Sequence, residues 1–186
     1  ARGQFIDGLK DGKWYFYTQN GSMEEIIEYH QDTLNGIYET FFSNGNQKTK
    51  GAYNKGKKTG DWIWATENKA LEMTGSFVAG EQYGEWNYYF STGDLSYVAH
   101  FNNGLRTGEW IYYFKDGGLY KKGSYKNDQK TSIWLTNYEN GKTLMTGGYN
   151  NGLEQGEWLN YWDNGKIKNQ AFFKSGVLNG EWKSYS

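Results

Sequence analysis

The sequence predicts an all-β fold, an elongated single-layer antiparallel meander of about eight β-hairpin repeats, twisted or trough-like. Three observations predict it. An aromatic residue recurs every 24 residues, at Trp14, Tyr38, Trp62, Trp86, Trp110, Trp134, Trp158 and Trp182. Turn dipeptides keep the same phase, at Asn20-Gly21, Asn44-Gly45, Asn68-Lys69, Thr92-Gly93, Asp116-Gly117, Asn140-Gly141 and Asn164-Gly165. Proline is absent from all 186 residues while glycine reaches 26, as expected where almost every backbone N–H is needed for a strand ladder.

Two further columns run in phase with the first. A second aromatic lies at Phe5, Tyr29, Tyr53, Phe77, Phe101, Tyr125, Tyr149 and Phe173. Two residues before each comes a small residue, Gly3, Gly51, Gly75, Ala99, Gly123, Gly147 and Ala171, with Ile27 the exception. The residue two before the first aromatic is glycine in every copy except the one carrying Ser132.

Asn-Gly and Asp-Gly between aromatic-rich runs predict two-residue type I′ hairpins, which need positive φ at both central residues. That register sets Trp62 against Gly75, Trp86 against Ala99, Trp110 against Gly123 and Trp158 against Ala171. A broad indole then covers a strand glycine that would otherwise be wet and weakly held. The intervening segments, such as Asn103–Gly108, are expected to be longer loops, with Asn103 against Gly108 and Phe101 against Trp110. Met23–Tyr29 has a helix-like composition but falls on a return strand by phase.

Side chains alternate along a strand, so Trp86, Tyr88, Phe90, Leu95, Tyr97 and Phe101 share the face expected to supply the core. The opposite face is polar, with Glu85, Asn87, Ser96 and His100. It carries one recurring aromatic, at Tyr17, Phe41, Tyr89, Tyr113, Tyr161 and Tyr185, replaced by Ala65 and Asn137. About sixteen strands at ~4.8 Å would extend roughly 75 Å, and such a sheet must twist. No linker interrupts the repeat, so residues 1–186 are expected to form one domain. Ala1–Phe5 and Trp182–Ser186 match half-hairpins, which predicts open edges able to pair with another chain. A chain starting at Ala1 further suggests a truncated or processed N-terminus.

Charge and composition exclude several functions. Twenty Lys and Arg against 21 Asp and Glu give a net charge of −1. This leaves no basic footprint for nucleic acid and no polybasic segment for an anionic membrane surface. With no cysteine, disulfides and Cys-ligated metal centres are excluded. No apolar run approaches the ~20 residues of a membrane-spanning helix. An aromatic content of 19% with near-zero net charge argues against disorder.

Candidate chemical groups have plain structural alternatives. His30 and His100 are the two histidines and lie in different repeats, so a shared metal ion is not expected. In the predicted register His100 faces Glu85, a cross-strand pair. Glu85, Glu109, Glu157 and Glu181 recur once per repeat, whereas a glycosidase needs its carboxylate pair once. Gly56-Lys57-Lys58-Thr59-Gly60 lacks phosphate-loop spacing, and the Asn20-Gly21-Ser22 sequon coincides with a turn. No catalytic residue, metal or cofactor is expected.

The pattern G-x-[YF]-x-x-G-x-x-x-G-[ED]-W-x-x-Y-[FY]-x-x-G, seen from Gly75-Ser76-Phe77 through Gly84-Glu85-Trp86 to Tyr89-Phe90, resembles the MORN repeat (membrane occupation and recognition nexus). The likeness is to its bacterial variant form, whose members are often labelled antitoxin-like. The resemblance covers the chain and implies a hairpin array acting as a non-enzymatic scaffold for protein–protein interaction. Tyr17, Phe41, Tyr89, Tyr113 and Tyr161 are the candidate contact residues, because exposed tyrosine suits interface hot spots. A glycan or cell-wall binding module stacking sugars on Tyr and Trp is the alternative. Both fit a bacterial surface, secreted or cytoplasmic setting.

Overall fold

A computed structural model describes residues 1–186. They form strands and turns with no helix, so the predicted all-β class holds. The chain falls into two compact units, Ala1–Gly93 and Asp94–Ser186, and each is a meander of antiparallel strands.

The first unit contains β1 (Arg2–Ile6), β2 (Leu9–Tyr17), β3 (Met23–His30), β4 (Thr33–Phe41), β5 (Gln47–Asn54), β6 (Lys57–Ala65), β7 (Leu71–Val78) and β8 (Glu81–Tyr89). Each pairs with its sequence neighbour. Met23–Tyr29 is strand, as its phase predicts. The second unit contains β9 (Leu95–Asn102), β10 (Leu105–Tyr113), β11 (Leu119–Lys126), β12 (Gln129–Asn137), β13 (Thr143–Asn150), β14 (Leu153–Tyr161), β15 (Ile167–Lys174), β16 (Val177–Leu178) and β17 (Lys183–Ser184). There β15 pairs with both β16 and β17.

The turn types differ from those the dipeptides predict. At Asn68-Lys69 only Lys69 has positive φ (68°), and at Asn44-Gly45 only Gly45 does (82°). Thr66 N donates to Ala70 O and Lys69 N to Thr66 O. This is a three-residue loop, a type I turn closed by one left-handed residue. The extra residue is absorbed at once by a register shift between Trp64 and Ala65. Trp62 therefore still pairs with Gly75, Trp110 with Gly123 and Trp158 with Ala171, as predicted.

The two-residue turns sit at the other end of the strands, where longer loops were expected. Asn103 (48°) and Gly104 (75°) both have positive φ, and Asn102 pairs with Leu105. Phe101 therefore pairs with Arg106 rather than Trp110, and Asn103 does not meet Gly108. Gly56-Lys57-Lys58-Thr59-Gly60 is likewise no loop, since Lys57–Ala65 is strand. Each tight turn is also tied to the previous one. Gly56 N donates to Leu34 O, Gly80 N to Lys58 O, Gly152 N to Lys130 O and Gly176 N to Glu154 O, all at 2.8–2.9 Å.

The glycine that precedes the column aromatic is a bulge residue, not a loop end. Gly108 has φ 61°, and residues 108–110 lie opposite the single residue Ala99. Residues 60–62 and 84–86 likewise face Gly51 and Gly75. The bulge swings the indole back over the preceding strand. A Cβ added to Gly3, Gly51, Gly75, Gly123 or Gly147 would collide with the indole of Trp14, Trp62, Trp86, Trp134 or Trp158 respectively. The predicted cover of glycine by tryptophan is thus real, but the glycine lies one strand before the column residue, not one strand after it.

Candidate functional site

Trp62 and Trp86 are each only 1% exposed, and Trp14, Trp110, Trp134 and Trp158 are buried beside them. Trp182 is the exception at 57% exposed and lies outside the strands. The second aromatic column presents its edges to these indoles. Tyr53 meets Trp62 at 5.3 Å and 86°, Phe77 meets Trp86 at 5.0 Å and 89°, and Tyr149 meets Trp158 at 5.1 Å and 85°. Edge-to-face packing of this kind adds roughly 0.5–1.5 kcal/mol per pair beyond area burial. Phe101 and Trp110 also touch, at 5.3 Å, although their backbones are not paired as expected.

A cationic column completes this face. Lys10, Lys58, Arg106 and Lys130 share one phase of the repeat. Lys58 Nζ lies 4.4 Å from the Trp62 ring and 5.0 Å from Phe77. Lys10 Nζ lies 5.0 Å from Trp14 and 4.9 Å from Tyr29. Lys130 Nζ spans Trp134 and Tyr149, and the Arg106 guanidinium lies 4.5 Å over Tyr125. Burial pushes the Lys58 ammonium below its ordinary pKa. This column was not among the expected site residues, although it is legible as a basic residue four before the tryptophan in half of the copies.

In the first unit one cross-strand row runs Phe16, Glu25, Thr40, Thr49, Trp64, Met73 and Tyr88. Between the rings of Phe16 and Trp64 it drops to a carboxylate and two threonines. A cavity of about 360 Å³ opens there, lined by Glu24, Glu25, Tyr38, Tyr53, Lys58 and Trp64 among others. Glu25 sits close enough to Tyr38 to act on its ionisation. Burial first, then the Glu25 charge, holds the Tyr38 phenol above its usual pKa. Trp64 packs against Trp62 at 5.6 Å and against Trp86 at 5.8 Å and stays half-buried.

The predicted contact stripe lies on the opposite face, by strand alternation from the tryptophans. In the first unit Tyr17 is 41% exposed, whereas Phe41 and Tyr89 are half-buried. In the second, Tyr113 and Tyr161 are half-buried and Asn137 is buried, donating to Leu119 O at 3.2 Å. Phe41 lines a groove with Ile63, Ala65 and Leu71, and Tyr113 lines another with Leu95. Leu95, expected on the tryptophan face, falls on this one because the register shift beside each three-residue turn carries the first residue of the return strand across, as the pairs Ala65–Leu71 and Tyr113–Leu119 show. The stripe is half-open rather than exposed. His30 pairs with Asp11 at 3.0 Å, and His100 Nδ1 lies 2.7 Å from Glu109 O.

Segments 10–31, 106–127 and 154–175 match the family described as the MORN repeat variant. These three hairpins are similar to MORN repeats. Each matched segment starts on a strand at the position of Lys10, Arg106 or Glu154 and ends in a tight turn. A MORN segment is therefore one strand, its three-residue turn and the return strand. MORN repeats suggest a repeat scaffold. No curated protein matches the chain. A solved structure titled "Crystal structure of GtfA/B complex bound to UDP and GlcNAc" aligns over 58% of this chain and 21% of its own, at 10% identity and a TM-score of 0.25. At that score the likeness bears on neither fold nor ligand.

Proposed function

We propose that this chain of MORN-like repeats is a non-enzymatic scaffold that binds a partner protein through the aromatic stripe of its polar face. The observation that carries this reading is the half-open setting of that stripe. Phe41, Tyr89, Tyr113 and Tyr161 are each half-buried, and Phe41 and Tyr113 line grooves beside apolar neighbours. Partly buried, rigid aromatic side chains give contact area at low entropic cost and dominate protein interfaces.

The glycan reading needs open ring faces for sugars to stack on, and the buried tryptophans spend theirs on one another. Trp64 packs against both Trp62 and Trp86, and Trp62 and Trp86 are almost fully enclosed.

Affinity capture with the whole chain, followed by mass spectrometry, tests the proposal. A defined protein is expected to be recovered reproducibly and to bind at least about 30-fold more weakly to the Tyr89→Ala/Tyr113→Ala variant, the scale of a hot-spot loss. Unchanged binding removes the stripe from the interface. A saturable shift of tryptophan fluorescence with cell-wall polysaccharide, and no protein partner, overturns the reading in favour of the glycan alternative.

A further inference from the structure

The polar face builds the same groove twice, with one decisive change. In the first unit Phe41, Ile63, Ala65 and Leu71 line a groove of about 520 Å³. Two repeats on, Tyr113 stands in the column of Ala65 and Leu95 in that of Gln47. The groove that Tyr113 and Leu95 line in the second unit holds about 380 Å³. Ile63 is 39% exposed and lines its groove, whereas the corresponding Ile111 is half-buried and outside the lining of the other. The room that the Tyr113 ring takes in one unit stays open over Ile63 in the other.

The other gap in the aromatic column is closed by the chain itself, since Asn137 is buried and donates to Leu119 O at 3.2 Å. Ala65 offers only a methyl group and pairs with Leu71, so the open recess is aliphatic with the Phe41 ring beside it. Lys69 is the one charged residue of its lining. It is exposed in the turn at φ 68° and takes part in no ion pair. Glu67 of the same turn is outside the lining and engages the neighbouring turn through its carbonyl, which accepts from the Asn44 and Asn46 side chains at 3.3 and 2.9 Å. The Tyr113 groove, by contrast, is lined by Asp94, Lys115 and Asp116 and has charges of both signs.

We propose that the Ala65 groove receives an aromatic side chain of the partner protein, from a segment whose adjoining carboxylate pairs with Lys69. The recess interrupts the stripe on the very face that this partner would cover. A ring seated over Ile63 replaces the one missing from the column and removes apolar area from water. Aromatic anchors in such pockets dominate interface energetics, and the opposite charge at the rim fixes orientation and speeds encounter. The inference rests on the reading of the chain as a protein-binding scaffold and gives that partner a chemical signature.

NMR titration of the whole chain with three capped tripeptides, Glu-Phe-Glu, Lys-Phe-Lys and Glu-Ala-Glu, tests it. Saturable shifts at Ile63, Ala65 and Leu71 are expected with Glu-Phe-Glu, with affinity at least about fivefold above that of Lys-Phe-Lys and no saturation by Glu-Ala-Glu. Ala65→Tyr, which installs the residue native to this column at Tyr89 and Tyr113, should weaken binding at least about tenfold by filling the recess. Lys69→Gln should erase the preference for Glu-Phe-Glu over Lys-Phe-Lys with β circular dichroism unchanged. No saturable shift, equal binding of Lys-Phe-Lys or Glu-Ala-Glu, or an undiminished affinity in Ala65→Tyr overturns the proposal. Partner capture keeps the two readings apart. A captured protein that is lost from Tyr89→Ala/Tyr113→Ala but binds Ala65→Tyr unchanged overturns the groove and leaves the stripe. Saturable Glu-Phe-Glu binding at Ala65 with no captured protein overturns the scaffold reading and leaves the groove as a site for an acidic aromatic ligand.

Discussion

Two neighbouring hairpins of the first unit solve the same packing problem differently. Around Trp62 the preceding strand offers Gly51, and the indole lies flat on its backbone. Around Tyr38 the preceding strand offers Ile27, which is buried at 6% exposure, and the column residue shrinks to tyrosine. Ala99, opposite the Trp110 bulge, is the intermediate case, a single methyl group that is itself fully buried. The bulge differs as well. In the Tyr38 copy residues 35–37 lie opposite Glu28, whose carboxylate accepts from the Ile37 N–H at 3.1 Å. The two exceptions in the repeat, Ile27 and Tyr38, are therefore one exception. The volume under the ring is shared between strands, and a side chain gained on one is lost on the other.

The most severe way to break this comparison is to impose one copy's solution on half of the other. Gly51→Ile should cost about 3 kcal/mol or more, because the indole must leave its site or distort the sheet. Adding Trp62→Tyr should recover on the order of 1–3 kcal/mol of that loss, the coupling expected of residues in contact. Urea unfolding of the two single variants and the double variant measures the cycle, and additive losses would deny that the volume is shared.

A smaller effect concerns alkali. Burial raises the phenol pKa of Tyr38 and Tyr53, and it pushes Tyr112 up to about 12. Free tyrosine ionises near 10, so the fold favours the neutral phenol. The stability this gives is fully present below about pH 10 and is lost as pH rises through the folded values. Tyrosinate absorbance should lag behind that of the unfolded chain and then rise together with the loss of β circular dichroism. The double variant Ile27→Gly/Tyr38→Trp removes one such phenol and should flatten the decline. An unaltered pH profile would place Tyr38 outside the cooperative core.

The smallest effect is at Ser132, the bulge residue that replaces glycine. Its φ is 61°, a conformation that costs a residue with a Cβ roughly 1–2 kcal/mol. Ser132→Gly should therefore stabilise the second unit by about 1 kcal/mol, read as a higher urea midpoint at unchanged slope. No gain would mean that the serine hydroxyl compensates locally.

The repeat, the strands and the pairing of each column aromatic across the Asn-Gly-type turn were legible from spacing alone, whereas the cover of the preceding strand's glycine by the indole was not. The turn types were not, because Asn-Gly marks left-handed backbone without saying how many residues share it. Gln31-Asp32 and Asn127-Asp128 adopt the two-residue turn with no glycine at all, so composition pointed to the wrong end of the strand. The bulge was hidden for a related reason. A glycine two before a tryptophan looks like a loop boundary until the opposing strand shows three residues facing one. Of the candidate contact residues, Tyr89 and Tyr113 were legible as members of a recurring aromatic column, but their partial burial was not. The groove by Glu25 opens where Thr40 and Thr49 stand in columns that elsewhere hold rings or methionine, and a pattern of what recurs passes over what is missing.

The stitching of one tight turn to the next has a consequence for how such a chain is made. Gly56 reaches back to Leu34 and Gly80 to Lys58, so these hydrogen bonds bridge 22 residues and no more. Within each unit order can spread from one hairpin to the adjoining one without waiting for distant segments to meet, which is the condition for rapid, nearest-neighbour assembly. A nascent chain would need to expose only about one further repeat before the previous one could close.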